Sequence, residues 1–173
     1  MRGILLVAAM WAGAMACGEA MPTGAPDGGE TGVDGGGTSG PDAGVQVVGC
    51  NGDSRVSPWW GPGLLVASAD GQVKVTIRSS EPAAPARGDN RWTIELTDAS
   101  DQPLSGASIV AVPFMPAHGH GSSKAPVVTS RTDGAYDVDP LYFSMPGVWR
   151  VTFHVTPAQG TRSDAIFYVC IAG

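Results

Sequence analysis

The residues best placed to do chemistry lie in two short segments. The first is Met115-Pro116-Ala117-His118-Gly119-His120-Gly121, and the second is Phe143-Ser144-Met145-Pro146-Gly147. Two imidazoles one residue apart can reach a single ion from a loop, and Gly119 and Gly121 let the backbone bend around it. Thioethers are soft ligands suited to Cu(I), while imidazole also suits Cu(II) and Zn(II). The pattern predicts a copper site of His118, His120, Met115 and Met145, on condition that both Met-Pro turns stand at the same end of the fold. The plainer alternative makes Met-Pro an apolar plug at a strand end and His-Gly-His-Gly a polar loop. His154 alternates out of phase with Phe153 and Val155 and is expected to face solvent.

Other chemistry is poorly represented. The chain has no Gly-x-Ser-x-Gly, no His-Glu-x-x-His and no phosphate-binding glycine loop, so no enzyme is expected. Asp137 and Asp139 could approach Ca²⁺, but they lack EF-hand spacing. Arg87-Gly88-Asp89 spells an adhesion tripeptide in a loop where such residues are common anyway. Trp59-Trp60 reads either as an exposed binding patch or, more plainly, as a half-buried pair packing a leading segment onto the domain. Tyr136 and Trp149 read as core or end-cap aromatics.

Elements able to position the two segments follow from periodicity. Val73, Val75 and Ile77 alternate with Lys74, Thr76 and Arg78 in a strand over 72–79. Asp70-Gly71 before it suggests a type I′ hairpin from a strand over 64–69. Trp92, Ile94 and Leu96 form the inner face of a strand over 91–97. The run 107–114 is apolar on both faces and predicts a central, doubly covered strand. Strands over 127–132 and 135–138 flank Asp133-Gly134, a second hairpin pair. Met145-Pro146-Gly147-Val148 fits a type II turn, leading into a strand over 148–156 with Trp149, Val151, Phe153 and Val155 inward. A last strand covers 163–171. No helical period occurs. The prediction is an all-β, immunoglobulin-like antiparallel β-sandwich of seven to eight strands over 47–173, with a small closed barrel as runner-up. The composition, 25 Gly and 14 Pro with only 15% charged residues, fits a turn-rich β protein.

Ahead of the domain, residues 1–16 read as an export signal: Arg2 followed by a short apolar run ending in small residues. That run is too short to span a membrane. Ala14-Met15-Ala16-Cys17-Gly18 is similar to a bacterial lipobox, with Ala14 where Leu is usual. It predicts lipidation of Cys17; the alternative is cleavage after Ala16 and a free Cys17. Gly18, rather than Asp, after the Cys favours the outer membrane. More than one acyl chain gives stable anchoring. Residues 17–46 are rich in Gly, Pro and Asp and are expected to form a disordered tether, with a span of roughly 30 Å. Five acids and no base fall within 18–49, while 50–173 holds eleven acids and nine bases. The net charge of −6 therefore sits largely in the tether, and with no basic cluster a nucleic-acid partner is not expected. Cys50 and Cys170 bracket the domain. They are expected to form a disulfide in an oxidising compartment, with a role as metal ligands the rival reading.

Taken together, Met115-Pro116-x-His118-Gly119-His120-Gly121, Asp133-Gly134-x-Tyr136 and Phe143-x-Met145-Pro146-Gly147-x-Trp149 resemble the FixH/YtkA-like domain of exported bacterial proteins, over about residues 90 to 156. The resemblance implies a β-sandwich outside the cytoplasm. FixH-like members are membrane proteins linked to the assembly of copper-containing terminal oxidases. This chain lacks their transmembrane helix and is expected to use a lipid anchor instead. The expected function is a lipid-anchored, monomeric envelope domain, at the outer membrane facing the periplasm or the cell surface, that carries or buffers copper for an acceptor protein. The alternative is a metal-free interaction module in envelope assembly or adhesion.

Overall fold

The computed structural model describes residues 45–46, 50, 52–131 and 134–173. The expected signal peptide, Cys17 and nearly all of the tether lie outside these residues, as does Asp133 of the second hairpin pair. In chain order the strands are β1 (Val45–Gln46), β2 (Trp59–Trp60), β3 (Leu65–Ala67), β4 (Val73–Glu81), β5 (Gly88–Asp98), β6 (Ser108–Met115), β7 (His120–Gly121), β8 (Val127–Ser130), β9 (Ala135–Phe143), β10 (Gly147–Thr156) and β11 (Ser163–Ile171). Among the described residues there is no helix. The two main sheets are antiparallel, in the orders β3-β4-β5-β9-β8 and β11-β10-β6-β7, and β1 pairs with β2 separately. This is the expected all-β sandwich.

Alternation places the core. Val73, Val75, Ile77, Trp92, Ile94, Leu96, Trp149, Val151, Phe153 and Val155 are all essentially inaccessible, because side chains of period two send one face of each sheet into the sandwich. Trp92 lies at the centre, its ring centroid 4.5 Å from that of Trp60 and 6.2–6.3 Å from those of Phe143, Phe153 and Phe167. Trp60 also donates its indole N–H to Ser80 Oγ. The Trp59-Trp60 pair thus packs a leading segment onto the sandwich. The expected disulfide is present, joining Cys50 to Cys170 with 5.6 Å between Cα atoms.

Three local expectations need correction. Strand β6 is not central and doubly covered. Among the described residues it is flanked beyond β10 by the two-residue β7 alone, and Val110 and Val112 are 56% and 39% exposed. A continuous apolar run does not reveal which face another sheet covers. The Asp70-Gly71 turn is not type I′, because only Asp101 among described non-glycine residues has a positive φ. The ladder closes instead at Ser68, whose N–H donates to Val73 O. Asp70 spends its carboxylate on Ser68 Oγ, Gln72 N and Ser163 Oγ. Finally, β9 does not stop at Val138 but continues through Pro140 to Phe143, which carries the chain to the end of the sandwich where the second Met-Pro turn follows.

Candidate functional site at one end of the sandwich

The first segment is an ordered hairpin. Met115 pairs with His120 and Phe114 with Gly121. Across the turn, Met115 O accepts the N–H groups of both His118 and Gly119. Gly119 has φ 67°, a left-handed conformation that glycine adopts at little cost. Ladder partners place their side chains on the same face of a sheet. Met115 faces inward and is 2% exposed, so His120 is set at the inner mouth of the sandwich. Its ring makes a T-shaped contact with the fully buried Trp149, 5.7 Å between centroids.

The second segment arrives at the same place. Gly147 has φ 123°, and a β-carbon built on it would stand 2.6 Å from the terminal methyl of Met115. Met145 packs, partly buried, against the core, and its carbonyl accepts the Trp149 indole N–H at 3.0 Å. Arg87 Nε donates to the neighbouring Ser144 O, tying the β4–β5 connection to this turn. The two Met-Pro turns therefore share one end of the domain, with Trp149 between His120 and the Met145 carbonyl.

His118 stands exposed at the tip of the hairpin, its ring centroid 6.0 Å from that of His120. An ion held by ring nitrogens at about 2.0 Å lies about 3.2 Å from each centroid, so rings up to about 6.4 Å apart can share it. His120 Nδ1 lies 3.0 Å from Gly121 O. A carbonyl can only accept, so Nδ1 carries the proton and the Nε2 lone pair is left for a ligand. Among the described residues no three His, Cys, Asp or Glu side chains converge to hold a metal. An ion at this end would need a thioether beside the imidazoles. Met145 is only partly buried, whereas Met115 must turn its sulfur out of a buried contact.

The other candidates separate from this cluster. His154 lies on the outer face of β10, with Nδ1 2.8 Å from Asp164 on β11. The Asp164 carboxyl is held well below the usual carboxylate range by Arg162 first and then by His154. That partner is ten residues away in sequence and becomes visible only through the β10–β11 register. Asp137 accepts from Thr93 Oγ1 and pairs with Arg131, while Asp139 pairs with Arg91; arginines already answer the charges considered for Ca²⁺. In the Arg87-Gly88-Asp89 tripeptide, Gly88 is in the β5–β9 ladder and both Asp89 oxygens accept from Lys124 Nζ at 2.7 Å. Tyr136 serves the opposite end, donating to Leu104 O and accepting from Ala107 N.

From sequence, Gly147 belongs to the second segment's turn and Trp149 reads as a core or end-cap aromatic; neither is expected to join the two segments. Their signal was the Pro-Gly-x-Trp spacing, which sets a positive-φ glycine two residues before an inward aromatic.

A search among curated proteins finds no match. Among solved structures, the crystal structure of FetP from uropathogenic E. coli strain F11, expressed recombinantly in the periplasm of E. coli, aligns with a TM-score of 0.46 and 12% identity. It covers 66% of this chain and 96% of that one. The profile of the YtkA-like family matches residues 68–154. The match starts earlier than the expected region and takes in the β4 strand as well as both Met-Pro turns. It spans half of the chain, which belongs to the YtkA-like family.

Proposed function

We propose that this domain binds copper at the end of the sandwich built by the two Met-Pro turns, and carries or buffers the ion for an acceptor protein. The observation behind this reading is the meeting of the turns, with Met115 against Gly147 and His120 against Trp149. His120 offers Nε2, His118 closes from the hairpin tip, and Met145 supplies the softer donor. Met115 has two roles in this account: it packs the mouth of the core and lies next to the ion. Copper is preferred over zinc because a Met/His set without thiolate is soft enough for Cu(I) and also takes Cu(II). The domain acts by binding rather than catalysis.

The Cys50–Cys170 bridge supports a place outside the cytoplasm, since disulfides persist in oxidising compartments. We further propose that Cys17 is lipidated and holds the domain at the cell envelope, at the outer membrane. Cys17→Ser would then move the protein from the membrane to the soluble fraction. Retention on membranes would reject the anchor.

The test of the copper reading is titration of the oxidised protein with Cu(I) and Cu(II), beside a His118→Ala/His120→Ala variant. The reading requires tight binding that the variant loses. Equal, weak binding by both proteins would reject it and favour a metal-free interaction module, for which the exposed Val110 and Val112 are the supporting observation.

A further inference from the structure

Beyond β7, β6 presents a five-residue edge over 108–112, with β8 of the other sheet nearby. Of the other edges, β3 has three residues and β8 has four, and short edges offer little to pair with. Strand β11 is longer, but it carries Asp164 with its partner Arg162, Arg55 lies over Tyr168, and the disulfide joins at Cys170. Strand β7 covers only Phe114 and Met115 of β6. Residues Ser108-Ile109-Val110-Ala111-Val112 continue beyond it without a charge or a proline.

The register shows which backbone groups face outward. Ser122 N donates to Pro113 O across the β6–β7 pair. Groups of Pro113 and Met115 therefore point away from β10, and by alternation so do those of Ile109 and Ala111. Pro113 has no N–H to present on that side, which is where proline is tolerated in a sheet. Among the described residues, nothing pairs with the N–H and C=O of Ile109 and Ala111. The side chains between them, Val110 and Val112, point to the outer face and are the exposed ones.

We infer that this edge is an interface with a second copy of the chain, formed by antiparallel pairing of β6 with itself about a two-fold axis at Val110. The four outward groups are self-complementary in this register. Ile109 of each copy faces Ala111 of the other and exchanges both bonds, so the four groups on each copy are all satisfied by four hydrogen bonds. Val110 meets Val110 of the second copy, and Ser108 meets Val112. No charge on the strand opposes the approach. The two four-stranded sheets become one continuous sheet, the isologous arrangement that closes on itself. The site end of each copy stays open, because the pairing stops short of Pro113. On this inference the chain pairs with itself, where the sequence reading expects a monomer.

The test uses the full-length chain carrying Cys17→Ser, to keep a lipid from driving association. Sedimentation equilibrium is measured for this protein and for one also carrying Val110→Lys, which places two like charges at the axis. Amide hydrogen exchange is followed at Ile109, Val110, Ala111 and Val112. The expected result is twice the chain mass, falling to once the chain mass in V110K. Ile109 and Ala111 amides should be protected only in the dimer. The amides of residues 110 and 112, which face β10, should be protected in both, which also shows that V110K is folded. A protein that stays monomeric up to about 100 μM, roughly the micromolar range of weak specific pairs and beyond, would overturn the inference. So would a dimer whose Ile109 and Ala111 amides exchange freely.

Discussion

The terminal methyl of Met115 rests against Gly147, at 2.6 Å from where a β-carbon would stand. This contact joins the two Met-Pro segments, which are separated by about thirty residues of chain, into one end of the sandwich. Gly147 is required twice over. Its φ of 123° is strained for any side chain, and its missing β-carbon is the space Met115 fills.

Gly147→Ala should therefore destabilise the domain by about 1–3 kcal/mol, the usual cost of a non-glycine residue held in such a conformation. Chemical denaturation measures it. Adding Met115→Ala on top should bring a smaller loss than the sum of the two single changes, because the collision is removed while the backbone strain stays. Simple additivity would show that Met115 and Gly147 do not press on one another.

The histidines should behave differently from one another. His120→Ala should weaken copper binding by at least the ten- to hundredfold that follows loss of even an outer-shell partner. His154→Ala should leave copper binding unchanged, since His154 is occupied with Asp164 on the outer face. Competition against a chromophoric copper chelator reads both. Affinity should also fall on acidification, because a protonated imidazole cannot ligate.

Acid should loosen the fold through three carboxylates. Arg55 holds Asp53 at about 2, below its ordinary 3.8. Asp70 is lowered by Ser68 first, then by Ser163 and Gln72 N, and Asp164 is lowered by Arg162 and His154. A depressed carboxylate contributes stability that is present above its unfolded pKa and lost as pH falls through the folded one. Denaturant midpoints should hold steady with respect to these groups above pH 5 and drop between about pH 4 and pH 2. Asp70→Asn should make that drop shallower.

Removing the bridge with Cys50→Ala/Cys170→Ala should cost up to about 4–5 kcal/mol, since it frees a loop spanning nearly the whole domain. Thermal unfolding under oxidising conditions measures the loss, and an unchanged midpoint would count against it.

Much of the fold was legible because period-two alternation names inward residues without any knowledge of partners. Trp92, Ile94, Leu96, Trp149, Val151 and Phe153 all came out buried for that reason. What alternation cannot give is which strand lies beside which. The exposed valines of β6, the His154–Asp164 pair and the arginines opposite Asp137 and Asp139 all depend on register between strands far apart in sequence. The site was legible as two segments sharing Met-Pro. That Gly147 and the inward Trp149 form the floor between them was not, because this arises from the return of β10 beside β6.

The most direct measurement is X-ray absorption at the copper edge of the Cu(I)-loaded protein, repeated with Met145→Leu. The two-turn site predicts both imidazole nitrogen and thioether sulfur in the first shell, with sulfur scattering diminished in the variant. A shell of nitrogen and oxygen alone, identical in the two proteins, would contradict it.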